Sequence, residues 1–581
     1  MILVKPETIQ NYVNKGWWSE RTIGELLLHW SERRGNELAV IDAPNKFELS
    51  GCQPQEWTWS ELLAQVGRYA AMLEEQGMRK DDILIMQLPN SVEQHAIYLA
   101  CAISGIVLSP VPVQYRNHEL AHVIDMTQAK MVITTQYVGQ FKAAQFWVDH
   151  VDQFPSVKKI LSLGDKLPDG VTALAPLLLN TTGWRASQIS AHMGAQQITA
   201  HDVLTICWTS GTEAKSKGVP RNHNEWLIAG HSVSQAGELR EGAHLLIPFP
   251  FVNMAGVSTS LAAWILIGGT LHHHHPFDLN CFVQQLRSFP MDYSVAPPAV
   301  LNLLLKEPEK MKGVDFSRLK RIGSGGGPLS EWMMSEMKNK FGIEVVNYFG
   351  SNEGAALSSS PLDMPDCAQR ALYFPRMGVP QFAWQMDIAQ KIETRLVDIE
   401  TQEDIVETGR LGELRFKGPT IFSGYFKSPE LTAKAFDEQG FYRTGDLFEI
   451  AGDQGQFYRF AGRHKDIVIR GGMNISSEEI ESLLMSHPNV REVAVIGLPD
   501  HLMGERVCAV VVLQDNATLS LLELTDHLRS VKEVASYKWP ESIILVEELP
   551  RNPVGKVLKR ELRERYARTL KPMPEAQETL K

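Results

Sequence analysis

The stretch WTSGTEAKSKGV, Trp208 to Val219, sets hydroxyls and a glycine first and then two lysines in quick succession, the chemistry of a loop that grips phosphate. A Walker A loop carries glycine directly before its lysine and a hydroxyl directly after, because backbone amides cradle the phosphates while the hydroxyl meets magnesium. Here Lys217 follows Ser216 and precedes Gly218, so the Walker reading fails on order. Two readings of the local sequence stay open: a flexible, hydroxyl-rich turn that wraps a nucleotide triphosphate by another geometry, and an ordinary polar hairpin. The surrounding chain has to decide between them.

At 581 residues the chain has room for several domains with large buried cores. Its net charge of -11 argues against a nucleic-acid partner, since neutralising phosphates takes basic stripes that would show as an excess of Lys and Arg. The six cysteines, Cys52, Cys101, Cys207, Cys281, Cys367 and Cys508, show no CxxC spacing and read as reduced core thiols, and no structural metal is expected. The start, MILVKPETIQNYVNKGWW, has an early Lys and Glu and does not read as a secretory signal, so a cytoplasmic location is expected. Leu245 to Leu271 carries no Asp, Glu, Lys or Arg and is long enough to span a bilayer. Pro248, Pro250 and Asn253 interrupt its first third and Gly268-Gly269 ends it, which fits a loop plus a buried helix better than a membrane span.

From about residue 20 to 200, helix-like stretches such as ELLAQVGRYAAMLEEQG alternate with short apolar strands such as DILIMQL and KMVITT, the rhythm of βαβ units on a mostly parallel sheet. The rhythm resumes from Asp202 to about Phe341. After about Gly378 the texture turns strand-rich and turn-rich (GELRFKGPTIFSGYF, GQFYRFAGRHKDIVIRGG), and the last part forms a compact βα set of its own. The expected fold is α/β: a large N-terminal domain of parallel-rich sheets, residues 1–461 with a β-rich subdomain at about 378–461, then a boundary at 462–466 and a small α+β C-terminal domain, 467–581. The run His272 to His275 lacks carboxylate or cysteine partners at helical spacing and reads as a strand-end loop that binds metal only adventitiously.

Five further segments carry chemistry. GSGGGPLS, Gly323 to Ser330, is like a dinucleotide fingerprint, but Pro328 stands where the last glycine should be; it reads instead as a glycine turn that lets a flat ring lie against bare backbone. NYFGSNEG, Asn347 to Gly354, offers an aromatic wall in Tyr348 and Phe349 and one carboxylate, Glu353, suited to holding magnesium on phosphate oxygens. YRTGD, Tyr442 to Asp446, puts a carboxylate after a tight turn, an acceptor for ribose hydroxyls. GRHKDIVIRGG, Gly462 to Gly472, combines Arg463, Lys465 and Asp466 at the domain boundary, and RNPVGKVLKR, Arg551 to Arg560, places Lys556 after a glycine on an expected exposed loop. Each has a plain alternative: a strand-end turn, a buried Glu, a surface salt bridge, a solvated basic face.

Together and in this order, the segments closely resemble the adenylate-forming superfamily of acyl-CoA synthetases, adenylation domains and luciferases. The opening stretch resembles that family's phosphate loop, usually written TSGTTGxPKG, and departs from it at Glu213, Ala214 and Ser216. GWWSERTIGELLLHWSERRGNELAVID extends the resemblance to the N-terminal end, toward aryl- and acyl-acid ligases. The resemblance implies that Thr209, Ser210, Gly211, Thr212 and Lys217 hold the β- and γ-phosphates of ATP. It implies that Gly325, Gly326 and Gly327 with Asn347, Tyr348, Phe349 and Gly350 take adenine, and that Asn352 stands where the family often has threonine near the α-phosphate. By the same resemblance Glu353 would hold Mg2+, Asp446 the ribose hydroxyls, and Arg463 would assist at ribose and phosphate. Lys465 matches the hinge about which a mobile C-terminal domain swings between two half-reactions, and Lys556 the lysine that reaches the carboxylate and α-phosphate during adenylation.

Elementary chemistry asks for such residues: a carboxylate attacking the α-phosphate brings two anions together, and the acyl-AMP formed must be kept from water until a thiol arrives. The resemblance places the acyl pocket at PFVNMAG, Pro250 to Gly256. Val252, Met254 and Val257 in an uncharged segment argue for an apolar acid, and Asn253, also placed in this pocket, stands where many acyl-CoA synthetases have histidine. RGGMNISSEEIESLLMSHPNVREVAVIGLPDHLMGER most resembles CoA ligases for medium-chain, alicyclic or aromatic acids, so CoA is the expected acceptor. The alternative is a standalone enzyme loading a carrier-protein phosphopantetheine; a non-catalytic relative would be expected to lose Lys556 or Glu353, and both are present. The expected partners are therefore ATP, CoA and a small carboxylic acid, with no nucleic acid, for a monomer or a homodimer.

Overall fold

The computed structural model describes residues 1–209, 216–326, 329–463, 466–470, 473–500, 503–531, 536–552 and 555–567. They fall into two compact units, Met1–Thr394 with Arg415–Arg443, and Arg395–Leu414 with the residues from Thr444 on.

Two sheets build the first unit. One has seven strands in the order Thr172–Ala173, Lys159–Leu163, Met131–Thr135, Ile83–Met86, Val107–Pro110, Val203–Trp208, Gly218–Asn222, and only its last pair is antiparallel. The other has eight, Ala356–Ser359, Glu344–Gly350, Arg321–Gly325, Tyr293–Val295, His244–Ile247, Thr270–His273, Leu38–Ile41, Glu56–Thr58, parallel except for the outermost pair at each edge. This is the parallel-rich α/β architecture anticipated above. Helices cover both faces of a parallel sheet, so its strands are apolar on both sides; Ile83–Met86 and Val203–Trp208 are buried at every residue. The helix Val92–Ser104, capped by the Ser91 side chain and ended by Gly105 at φ +66, is buried along its whole length. Beside it Trp59 and Trp264 stack with ring centroids 4.6 Å apart.

The uncharged segment begins on the strand His244–Ile247, which has parallel neighbours on both sides, and then runs as the expected loop over 248–253. A buried helical run then passes from Met254 through Ser258–Ala262 to Ile267 and stops at Gly268, φ +58, where a Cβ would strike the Trp30 ring. Among the described residues no helix is long and apolar enough to cross a membrane. The histidine run corrects one expectation. His272 and His273 lie inside the strand Thr270–His273, not in a loop, and all four histidines are buried. A central parallel strand is covered on both faces whatever its side chains, so polarity did not mark exposure here.

YRTGD corrects a second expectation: it opens the strand Tyr442–Ala451, which belongs to the second unit from Thr444 on, and is not a tight turn, with Gly445 at φ +69. That strand pairs antiparallel with Phe457–Arg463. A further sheet orders Met473–Ser476, Ile467–Arg470, Gly504–Leu513 and Val490–Asp500, with Ser542–Leu545 parallel to Gly504–Leu513. The helix Lys559–Tyr566 is fastened to Ser477–Leu484 by Lys559, whose Nζ lies 2.8 Å from Glu481.

Candidate active site

The strands Val203–Trp208 and Gly218–Asn222 form an antiparallel hairpin with Trp208 opposite Gly218. Thr209 N–H donates to the Lys217 carbonyl at 3.0 Å, and Lys217 N–H to Thr209 Oγ1 at 3.1 Å, closing the base of the opening stretch. The flanking strands match the hairpin reading of the local sequence, while residues 210–215 between them lie outside the described residues. Ser210, Gly211 and Thr212 lie outside the described residues. The base is braced on three sides: Trp208 Nε1 donates to Ser109 Oγ at 2.9 Å, His122 Nε2 lies 2.8 Å from the Ser216 carbonyl, and Phe426 N–H donates to the Gly218 carbonyl at 2.9 Å.

Glu353 and Lys217 meet through a residue the sequence reading passed over. Tyr425 donates its phenol proton to Glu353 Oε1 at 2.9 Å, while Lys217 Nζ sits 4.9 Å from the centre of the same ring. Burial, and next the adjacent Glu353 carboxylate, hold the Tyr425 phenol well above its ordinary value, so it stays a donor. Gly354, at φ +99, brings its backbone against Thr420, where any Cβ would run into the carbonyl oxygen. The Arg221 guanidinium, fully buried, donates to that carbonyl and feels the Glu353 charge. Tyr425 is the last residue but one of the quoted stretch GELRFKGPTIFSGYF and Arg221 follows the loop by two residues, so proximity to known motifs was the only available signal for either.

Gly325 ends the strand Arg321–Gly325 directly opposite Tyr348. A Cβ on Gly325 would collide with the Tyr348 backbone, whereas Gly326, at φ +77, has open space where its Cβ would be. Among the described residues of this turn, Gly326 is the one with bare backbone facing open space; Gly327 lies outside them. Tyr348 and Phe349 do not form one wall, because successive strand residues point to opposite faces. Tyr348 hydrogen-bonds Tyr293 hydroxyl to hydroxyl at 3.0 Å, and Phe349 goes to Phe374 and Phe416. Asn347 is buried and donates to the Arg370 carbonyl at 2.9 Å, a structural contact, while Gly350 is exposed at the strand end.

In the acyl segment Val252 and Val257 are buried. Asn253 caps the helix start, accepting from Gly256 N–H at 3.0 Å. Asn352 reaches the same turn, accepting from Met254 N–H at 2.8 Å while its own amide donates to the Trp208 carbonyl at 3.1 Å. Phe251 packs on the buried rings of His95 and His273.

Within the second unit, Asp446 is buried and faces Arg463 across the ladder. Lys465 lies outside the described residues. Lys556 is half-buried, not on an open loop: its N–H donates to Asn552 Oδ1 at 2.8 Å in a turn closed by the Arg551–Val557 bridge. Burial would raise the Asp466 carboxyl, but the positive charges of Lys559, Arg563 and Lys556 outweigh it and hold the group below its ordinary value.

The sequence profile of the AMP-binding enzyme family matches residues 27–426, and that of the AMP-binding enzyme C-terminal domain residues 479–556. The chain belongs to the AMP-binding enzyme family. As such it is an adenylate-forming, ATP-dependent acid ligase. This AMP-binding enzyme is 30% identical to the medium-chain fatty-acid–CoA ligase of Escherichia coli (strain K12), over 96% of this chain and 93% of that one. It is 25% identical to the 2,3-dihydroxybenzoate-AMP ligase of Bacillus subtilis (strain 168), over 97% of each. Among solved structures it resembles ATP-bound MatB from Rhodopseudomonas palustris, with a TM-score of 0.76 at 26% identity, covering 95% of this chain and 100% of that one.

Proposed function

We propose that this AMP-binding enzyme activates an apolar carboxylic acid of the medium-chain, alicyclic or aromatic class and transfers the acyl group to CoA. The observation that carries the reading is the cluster at the base of the hairpin, where one phenol contacts both the Glu353 carboxylate and the Lys217 ammonium. In the first step a carboxylate oxygen of the acid attacks the α-phosphorus, the bond to the β-phosphate breaks, and pyrophosphate leaves. In the second the thiol sulfur attacks the acyl carbon, the bond to the phosphate oxygen breaks, AMP leaves and the thiol proton is lost.

Thr209, Ser210, Gly211, Thr212 and Lys217 would hold the departing phosphates, Lys217 by charge. Gly326 and Gly327 with Gly350 would lie against the adenine, with Gly325, Asn347, Tyr348 and Phe349 forming the strands behind them, and Asp446 with Arg463 would take the ribose. Lys556 would bridge the acid carboxylate and the α-phosphate, where negative charge gathers. Glu353 is the residue to hold Mg2+: a single carboxylate, already oriented by Tyr425, suits an ion that takes most of its ligands from substrate phosphates and water. Bound there, the ion would neutralise phosphate charge. Val252, Asn253, Met254 and Val257 would border the acid, whose apolar character follows from the uncharged run Leu245 to Leu271. The 30% identity to a protein named as a medium-chain fatty-acid–CoA ligase supports CoA as acceptor, and the reading places the enzyme in the cytoplasm, with ATP and CoA.

Incubation with ATP, Mg2+ and a panel running from octanoate to benzoate should release AMP and pyrophosphate; ADP with an acyl phosphate would overturn the adenylation reading. Adding CoA, or separately a phosphopantetheinylated carrier protein, decides the acceptor. Thioester on the carrier alone would favour the second reading, to which the likeness to a protein named as an AMP ligase lends support.

A further inference from the structure

We propose that Asn352 is a positioning residue that couples the acid end of the site to its phosphate loop, so that filling either end favours filling the other. The inference rests on the adenylation reading and adds a thermodynamic link to it. Asn352 sits in the turn after the strand Glu344–Gly350, with Ser351 N–H donating to the Ala355 carbonyl at 2.9 Å and Gly354 N–H to the Ser351 carbonyl at 3.1 Å. From that fixed base its one amide group makes two bonds to segments distant in sequence, to the carbonyl of Trp208 and the N–H of Met254. A carbonyl only accepts and an N–H only donates, so the partners determine which way the amide faces.

Both partners sit at a junction. Trp208 is the last residue of its strand before the phosphate loop, and Met254 the first of the helical run that borders the acid. The Met254 N–H is one of the donors a helix start leaves without an intrahelical partner, and Asn352 satisfies it from outside while Asn253 caps the same turn from within. A planar amide holds donor and acceptor at a fixed separation, so a shift of the Trp208 carbonyl as the loop takes phosphate is passed to the first turn of the acid-binding helix, and the reverse. The neighbouring residue in the same turn is Glu353. Alanine offers neither group, and aspartate keeps the bond to Met254 but sets a carboxylate oxygen against the Trp208 carbonyl.

The test measures the affinity for an acid that supports AMP release, octanoate or benzoate, with and without saturating α,β-methylene-ATP, and the affinity for the analogue with and without the acid. Linkage requires the same factor in either order, and wild type is expected to show about 5- to 150-fold. Asn352→Ala and Asn352→Asp should bring the factor close to one whatever they do to the affinity for each ligand alone, while the melting temperature of Asn352→Asp stays near wild type. A factor of one in wild type, or variants that weaken both ligands equally and keep the factor, would overturn the coupling. Failure of wild type to make AMP from any acid would instead overturn the adenylation reading; the coupling factor is read without turnover, so the two failures are distinguishable.

Discussion

The phenol of Tyr425 touches both the Glu353 carboxylate and the Lys217 ammonium, the two charges proposed to serve the phosphates, and a single-atom change tests what that contact does. Tyr425→Phe keeps the ring under Lys217 and removes the donor to Glu353. A hydrogen bond to a charged group is worth about 1.5 to 3 kcal/mol, so adenylate formation should slow by roughly 10- to 100-fold. If the lost bond had oriented the carboxylate for Mg2+, the Mg2+ concentration giving half-maximal rate should rise as well; initial rates across a Mg2+ titration check both. An unchanged Mg2+ profile with a lowered melting temperature would make Tyr425 a packing residue only. Glu353 and Lys217 were legible in sequence because each lies in a motif whose order carries chemistry. Tyr425 was not, because a tyrosine in a strand-rich stretch looks the same whether its hydroxyl meets water or a carboxylate.

Among the elements, the strand Thr270–His273 and the two histidines after it carry a cost that depends on pH. Burial, helped by the neighbouring His244 and His274, holds His272 and His275 down at about 3, against an ordinary histidine near 6.5. Between those values the unfolded chain binds protons that the folded chain refuses. Stability therefore rises with pH across that window and is lost on acidification from about 6.5 downward, by about 1.4 kcal/mol per pH unit for each such group. Melting temperature should fall from pH 7 to pH 5, and His272→Gln should flatten the fall; parallel curves for variant and wild type would show that His272 titrates normally when folded. Helices were the more legible elements: Trp59–Glu75 takes in all but the last two residues of the quoted ELLAQVGRYAAMLEEQG, where spacing and the Thr58 cap agree. Short strands interior to a parallel sheet have no polar face to alternate with, so a strand ending in two histidines, with two more after it, could not be told from a loop.

At the scale of the whole molecule, the proposal that one site serves two half-reactions makes Lys556 and Lys465 separable. Lys556→Ala should lower adenylate formation by about 10²- to 10³-fold, the scale for removing one preorganised charge, and leave thioester formation from supplied acyl-AMP largely intact. Lys465→Pro fixes φ at the proposed hinge and should impair the second step more than the first. Single-turnover assays of each half-reaction check the pair, and equal losses in both steps for both variants would defeat domain alternation while leaving the adenylation assignment standing.

The sequence by itself determined the family and the alternation of strands and helices on parallel-rich sheets, and it singled out Glu353 and Lys217 as candidates, because order along the chain encodes backbone hydrogen bonding and motif chemistry locally. Only the tertiary structure decided which of them meet. It set Tyr425 between Glu353 and Lys217, put Tyr348 and Phe349 on opposite faces of one strand, and spent the amide of Asn352 on Trp208 and Met254. A hydrogen bond between residues some hundred positions apart depends on how the strands and helices pack, and packing is a property of the whole core, which no local window of sequence contains.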